Sequence, residues 1–359
     1  MKTAIIGAGA SGLLLANLLK DEYVLIEKAD RVGKKLLATG NGKCNLTNIN
    51  ISPDGYNAPE FVAPFLEKFP PSKTVSLFNS LGLLTAVKED GKVYPYSESA
   101  ATVLNVLRRK AVNIITSDGA SKIEKISDGY KIHLESGKIL TAKNVVLCSG
   151  SSASGGYSSL ELFKPFGHKF FAFKPSLCPI LTDRESVKGL GGIRVKATLH
   201  FGDASEYGEI LFKDYGLSGI ASFNVSSLIA RGKSGEMFID FLPQYSQKAA
   251  HEILKNYSGI FHTKVSERIH ERAKSQKEDV LKVIKHYIVK PIKNADFSLS
   301  QVCCGGLDTL QFDFNLESLL SKGLFAAGEA LNVDGVCGGY NLQWAWSSAM
   351  AVAQKINSI

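Results

Sequence analysis

At 359 residues, 45% hydrophobic and 21% charged, the chain has enough apolar content for two or three structural units with a sizeable core, and it carries no low-complexity tract. Beyond the N-terminus it has no stretch of about 18 uncharged apolar residues, so no membrane span is expected. The formal net charge of +8 admits anionic partners such as nucleotides, nucleic acid or a membrane surface, but many of the lysines fall between residues 248 and 293, as on a solvated helical face.

The first element imitates a secretory signal, with Lys2 followed by a mostly apolar run to Leu19. Its glycines, the polar Ser11 and Asn17, and the strand that follows argue for a different role. A β-rich run, Thr3 to Ile6, meets Gly7-Ala8-Gly9-Ala10-Ser11-Gly12, and a helical pattern then continues to about Leu19. A second apolar strand, Tyr23 to Ile26, ends on Glu27. This is G-x-G-x-x-G with an acid 20 residues after the first glycine, inside a strand–helix–strand unit. Gly7 allows the tight turn, Gly9 lets a pyrophosphate approach the backbone, and Gly12 lets the helix pack close to the strand. The N–H groups of the helix start, at Ala10, Ser11 and Gly12, then face phosphate. Glu27 accepts from ribose hydroxyls and argues against a 2′-phosphate, so the motif fits FAD or NAD and not NADP.

The next stretch separates these two. A NAD dehydrogenase would continue into further strand–helix units, whereas here Gly33, Lys34 and Lys35 lead to a second glycine-rich polar loop, "TGNGKCN". Such a loop suits a ligand with an extended diphosphate and a large planar head. Residues 113–150 read as a meander of short alternating strands ending in an apolar strand, Asn144 to Leu147, that returns to the first domain and delivers Ser149 and Gly150 beside the ligand. Near the C-terminus, "GLFAAGEALNVDG" repeats the order of strand, small residues and acid, with Gly328 and Glu329 at the turn. A glycine pair, Gly338 and Gly339, then opens a long apolar helix.

The patterns "GKKLLATGNGKCNLTN" and "GEALNVDGVCGGYNLQWAWSSAMAVA" resemble those of the bacterial YhiN/BaiN-type family of FAD flavoproteins, which includes aminoacetone oxidase and bile-acid reductase-like NAD(P)/FAD-dependent oxidoreductases. Supporting pieces, such as "PSLCPILTD" and "GEILFKDYGLSGIASFNVSS", extend the resemblance over nearly the whole chain. It implies an α/β fold: a Rossmann-like, two-dinucleotide-binding-type FAD domain from residues 1–180 and 292–359, a β-barrel-like insertion at 181–245 and a small helical insertion at 246–291. By the same resemblance, Gly7, Gly9, Gly12, Glu27 and Lys28 hold the ADP half of a non-covalent FAD, and Ala120 offers backbone to the adenine. Lys35, Thr39, Asn41, Gly42, Cys44 and Asn45 run past the ribityl and the flavin. Glu329 and Asp334 lie near the ribityl chain and diphosphate, and Gly339, Tyr340, Asn341 and Leu342 near the flavin ring. Lys43 stands where arginine is common in the family, Cys337 where threonine is common, and the loop after Gly150 is shorter than usual; the last two bear on the substrate pocket.

The closing helix then has an expected electrostatic role. Its unpaired N–H donors and positive end favour the negative charge that a reduced flavin carries on its N1–C2=O edge, and a side chain at 338 or 339 would block that approach. Trp344 and Trp346 are expected in the core. The six cysteines (Cys44, Cys148, Cys178, Cys303, Cys304 and Cys337) form no C-x-x-C pair and no zinc-like spacing with the seven histidines, so reduced thiols, a cytoplasmic location and no metal are expected. Cys44 and Cys337 raise the alternative of a thiol–flavin redox pair. His168 reads as structural, and no histidine has a motif partner that would make a nucleophile.

No second strand–glycine–helix unit marks a nicotinamide domain, so either NAD(P)H visits the flavin transiently or oxygen reoxidises it. The expected function is oxidoreduction of a small organic molecule by hydride transfer at flavin N5, with the substrate held under the insertions. The alternative is an FAD-dependent RNA-modifying protein using the basic helical insertion, which lacks the interleaved aromatics and Arg-rich clusters of nucleic-acid readers.

Overall fold

Short runs of aliphatic residues buried on both faces are what a parallel sheet covered on both sides requires, and the first unit is built on four of them. In the computed structural model, which describes residues 1–358, these are Thr3–Ile6 (β1), Tyr23–Ile26 (β2), Asn144–Leu147 (β10) and Leu324–Ala326 (β20). They pair in parallel in the order β20-β10-β1-β2, and Ile114–Ile115 (β6) extends the sheet beyond β2. Helix α1 (Ala10–Leu18) packs on α11 (Tyr340–Ile356), and both are apolar nearly all round, as helices inside a core must be. Trp344 and Trp346 are fully buried there, their indole N–H groups donating to Gly328 O and Leu46 O at 3.0 and 2.9 Å. This is the satisfied form of a buried tryptophan.

The rest of the first unit hangs on this frame. After the short helix α2 (Lys34–Ala38), strands β3 (Thr47–Asn48), β4 (Thr85–Val87) and β5 (Lys92–Pro95) form a small antiparallel sheet in the order β3-β5-β4. Helices α3 (Pro59–Lys68), α4 (Pro71–Ser80) and α5 (Ala100–Lys110) fill the intervals. The expected meander resolves into two destinations: β6 and β10 join the parallel sheet, while β7 (Ala120–Ile126), β8 (Gly129–Leu134) and β9 (Ile139–Ala142) make an antiparallel sheet of their own. Strands β11 (Phe170–Ser176) and β19 (Val302–Leu307) pair with each other.

The second unit spans residues 175–301. Its sheet has seven antiparallel strands: β12 (Ile180–Thr182), β13 (Arg194–Phe201), β14 (Ala204–Lys213), β15 (Gly216–Ser218), β16 (Met237–Asp240), β17 (Tyr287–Val289) and β18 (Pro291–Asn294). The order is β17-β16-β13-β14-β15-β12-β18, so the two edge strands are consecutive in sequence and joined by Lys290 alone. A sheet whose edges are tied by one residue has to roll up, which makes it barrel-like. Helices α6 (Arg184–Val187) and α7 (Ile220–Ala230) belong to this unit, as do α8 (Gln247–Asn256), α9 (Thr263–Gln276) and α10 (Val280–Lys285).

The division differs from the expected one. Residues 175–180 and 292–301 go with the second unit, and its barrel and helices are one body rather than two insertions. The reason is a shared core: Ala250, Val265, Ile269 and Ile284 of the helices are buried in one cluster with Ile239 and Tyr287 of the barrel. Helices this short do not stand alone without such a surface to cover. Among the described residues no helix is long and apolar enough to cross a membrane.

Candidate functional site

In a parallel sheet the loops that follow neighbouring strands emerge side by side, and ligands of open α/β sheets bind at that edge. Here the loops after β1, β2, β10 and β20 meet there. Gly7 lies so close to the β10 loop that a Cβ on it would sit 2.4 Å from Cys148 O, and a Cβ on Gly12 would sit 1.9 Å from Gly7 O. A Cβ on Gly9 would meet nothing within 4 Å. Gly7 and Gly12 therefore serve close packing, while Gly9 leaves an open cradle at the first turn of α1. Leu13 N is the first to bond back, to Gly9 O at 3.0 Å, so the N–H groups of Ala10, Ser11 and Gly12 have no helical acceptor.

Glu27 ends β2 with its carboxylate spread over backbone. Oε2 accepts from Ala8 N at 2.8 Å and Oε1 from Ala29 N at 2.9 Å. Each oxygen keeps a further lone pair for a hydroxyl donor. Ser117 N and Asp118 N bond to Ala29 O and Glu27 O, which brings the start of β7, and with it Ala120, next to this acid. Lys28 instead turns to Glu135 at 2.8 Å and lies 5.4 Å from the centre of the Tyr157 ring.

The turn of β20 supplies the second half. Gly328 is wedged between the two long helices: Ser348 Oγ accepts from its N–H, and a Cβ on it would sit 2.9 Å from Ser11 Oγ. Glu329 Oε2 pairs with Lys35 Nζ at 2.5 Å, and Lys35 also donates to Ser151 Oγ at 3.3 Å. Glu329 Oε1 is buried without a hydrogen-bond partner among the described residues. An orphaned carboxylate oxygen in a polar cleft costs free energy unless a ligand donates to it. Cys303 faces the same cluster, its thiol pushed up by burial. Gly150 lies at its rim, where a Cβ would be 3.9 Å from Glu329 Oε2, and Ser149 Oγ accepts from Ser159 N at 3.2 Å.

The third part is the loop of residues 39–45 against the start of α11. Asn41 and Cys44 have φ of 54° and 59°, so this loop doubles back in a conformation that branched residues avoid. Thr39 Oγ1 donates to Leu36 O at 2.6 Å. Asn45, with its amide oriented to suit its neighbours, accepts from Gly339 N at 3.0 Å and donates to Thr47 O and Val93 O. A Cβ on Gly339, whose φ is 103°, would lie 2.6 Å from the carbonyl carbon of Thr47. So the backbone of β3 excludes a side chain at Gly339, and Asn45 takes its N–H. Gly338 keeps the open side, with only Lys92 Cε near, at 3.9 Å. The N–H groups of Tyr340, Asn341 and Leu342 precede the first helical bond, Gln343 N to Gly339 O.

Side chains around that helix start are largely committed to holding it. Asn341 bonds Gly335 in both directions, at 2.9 and 2.8 Å, and Tyr340 packs on Tyr56, whose hydroxyl donates to Tyr340 O at 2.8 Å. Asp334 is buried, its N–H held by Asn57 Oδ1 at 2.8 Å and its Oδ2 3.6 Å from the Cys304 thiol. Gly42 has nothing within 4 Å of a Cβ. Beside it a groove of about 630 Å³ opens, lined by Lys43, Lys88, Lys92, Tyr94 and three acids. Lys43 and Lys88 hydrogen-bond Glu98 and hold its carboxyl down to about 2.

Burial pushes the Cys44 thiol up to about 12, which holds it neutral. The six cysteines form no disulfide, and no metal-binding cluster occurs among the described residues. His168 is buried between Phe163 O and Ser318 Oγ, in the core. Sequence reasoning missed Ser151, Cys303, Asn57 and Gln343. Gln343 is buried, accepting from Thr47 Oγ1 at 2.6 Å and donating to Phe69 O at 3.0 Å. Of these only Gln343 lay inside a motif that was read for its glycines.

Comparison with known proteins agrees with this architecture. The family described as "HI0933-like protein Rossmann domain" matches residues 1–355. The 3-dehydro-bile acid delta(4,6)-reductase of Clostridium scindens is 32% identical, over 97% of this chain and 97% of that protein. The ribosomal RNA dihydrouridine synthase of Haemophilus influenzae is 28% identical over 98% of each. Among solved structures, the quinol fumarate reductase subunit FrdA of E. coli superposes with a TM-score of 0.54 at 15% identity, over 99% of this chain and 70% of that one, a likeness of fold. On the match over residues 1–355 and the relative at 32% identity, the chain belongs to the HI0933-like Rossmann family.

Proposed function

We propose that the protein is an FAD-dependent oxidoreductase that reduces a carbon–carbon double bond conjugated with a carbonyl group in a small organic molecule. The observation that carries the cofactor assignment is the pairing of the open cradle at Gly9 with the buried, unpartnered Oε1 of Glu329 across one sheet edge. The first fits a diphosphate and the second a hydroxyl beyond it, as on the ribityl chain of FAD. FAD, when bound, supplies a two-electron carrier with hydride chemistry at its N5 atom.

The chain's own residues bind and orient. The N–H groups of Ala10, Ser11 and Gly12 receive phosphate charge, Glu27 accepts from the adenosine ribose, and Lys35 pairs with Glu329 beside the ribityl site. Gly338 and the N–H groups of Tyr340, Asn341 and Leu342 form a second positive helix end, suited to negative charge developing on a ring. Buried thiols without disulfides suit a reducing, cytoplasmic setting. The relatives support the reaction class, since a 3-dehydro-bile acid delta(4,6)-reductase and a dihydrouridine synthase both saturate a double bond conjugated with a carbonyl.

The electron source is a nicotinamide nucleotide that visits the site, with oxygen as the competing acceptor. The test is anaerobic mixing of the yellow protein with NADH or NADPH, then with a panel of enones and amines, following flavin absorbance. Bleaching by NAD(P)H and recovery with an enone is the expected result; recovery with no enone, or bleaching by an amine alone, overturns it. The second reading, reduction of uridine in RNA, is favoured by the Haemophilus relative's coverage of 98% of the chain. Dihydrouridine formed in transcribed ribosomal RNA under the same conditions would establish it.

A further inference from the structure

The second unit contains a pocket that the proposed reaction does not use. Between α8, α9 and α10, closed by the loop Tyr257–Phe261, lies a cavity of about 490 Å³, within the size range of small-molecule sites. Its floor is apolar, formed by Leu254, Phe261, Ile269, Leu281 and Ile284. Its rim is basic and aromatic. His251 and Lys255 stand four residues apart on α8 and so share a face, and His270 reaches the rim from α9. Tyr257 is 69% exposed at the mouth.

Two details show what this rim can take. His270 Nδ1 lies 2.8 Å from Ser266 O, so Nδ1 carries the hydrogen and Nε2 is left as an acceptor for a ligand hydroxyl. The one acid of the lining, Asp279, is occupied in capping α10, accepting from Leu281 N at 2.8 Å and Lys282 N at 3.4 Å. The ion pairs of this region, Arg268–Glu271 and Lys282–Glu278, leave out Lys255. A purely apolar ligand would leave Lys255 and the His270 acceptor unused, and a bare anion would leave the floor wet. The ligand that uses both has a planar, weakly polar ring and a phosphate.

We propose that this pocket binds a nucleotide, its base on the apolar floor against Tyr257, its phosphate at Lys255 and a ribose hydroxyl donating to His270 Nε2. The interleaving of aromatic and basic groups that the linear sequence of this segment lacks is assembled here from α8, α9 and the loop between them, and it is the arrangement single-stranded nucleic-acid sites use. The source is a free nucleotide or one residue of an RNA strand, and the probes separate them.

The test uses the full-length, FAD-loaded protein with UMP and with hexauridylate as probes, in calorimetry or by fluorescence, at two salt concentrations. The double variant Lys255→Ala/His270→Ala should weaken binding about tenfold or more, and Tyr257→Ala at least about threefold, with Tyr257→Phe restoring it. Lys274→Ala, an exposed cation of α9 outside the pocket, should stay within about twofold of wild type. Binding of UMP that competes with hexauridylate identifies a free nucleotide, and binding of hexauridylate alone identifies a strand. The proposal is overturned if neither probe binds, if the double variant binds like wild type, or if Lys274→Ala loses as much as the double variant. Flavin bleaching by NAD(P)H on the same variants keeps this outcome separate from that of the flavin site, because none of the substituted residues belongs to that site.

Discussion

The glycines after β1 and the glycine pair before α11 stand at the mouths of two helices that pack on each other, yet they are glycines for different reasons. In the first set, two positions are closed by the protein's own backbone and one, Gly9, faces open space. In the second, Gly339 is closed by β3 while Gly338 is open. Each mouth thus combines a packing glycine with a cradle glycine, and only contact distances tell the two kinds apart. A packing glycine governs whether the fold forms, and a cradle glycine governs what the fold holds.

Substitutions should split along that line. Gly12→Val is the most severe, because a Cβ 1.9 Å from Gly7 O forces α1 off the sheet. A loss above about 4 kcal/mol is expected, seen as insoluble protein or as a collapsed urea midpoint. A soluble, yellow variant would break the comparison at its stronger end. Gly339→Ala combines a φ of 103° with a 2.6 Å clash against Thr47, and about 2–4 kcal/mol of stability should go. Any FAD it retains should keep the wild-type midpoint potential. A shifted potential at unchanged melting temperature would return Gly339 to the cradle class.

Gly9→Ala should leave the melting temperature within a few degrees, since its Cβ meets nothing, while FAD retention falls about tenfold as the methyl displaces the diphosphate. Loss of stability without loss of FAD would place Gly9 among the packing glycines. The smallest effect belongs to Cys44, in the loop that frames Gly339. Its thiol is held neutral, with a pKa raised to about 12, so the stability from its burial is complete below the ordinary thiol value and lost only as pH rises towards 12. Iodoacetamide at pH 8 should leave Cys44 unmodified in the folded protein, by peptide mass mapping, and Cys44→Ser should leave NAD(P)H-driven bleaching unchanged.

The first mouth was legible because everything that shapes it is local. Strand, glycines, helix and acid follow within 27 residues, and β1, β2 and β10 form on the residues expected of them. The second was half legible. The burial of Trp344 and Trp346 follows from an apolar helix, but the partners of Gly339 and Gln343 lie near residues 45–47, and no periodicity reports a contact across that separation. The same holds for Glu329, whose partner Lys35 is 294 residues away. The second unit misled in a different way. The family resemblance implied a boundary near residue 245, whereas α8–α10 interrupt one sheet between β16 and β17.

The first unit is assembled from residues 1–174 and from the chain beyond 302, and this sets an order of events during synthesis. As the chain leaves the ribosome, β1, α1 and β10 emerge early but lack β20 beside β10 and α11 over α1. The contiguous second unit, with its barrel and its own core, is complete well before them. Cofactor loading therefore waits for the last helix, and until α11 docks the apolar face of α1 stays uncovered. Truncation between residues 301 and 340 would leave a finished barrel attached to a half-built, aggregation-prone sheet, so loss of α11 alone should be as damaging as loss of α1.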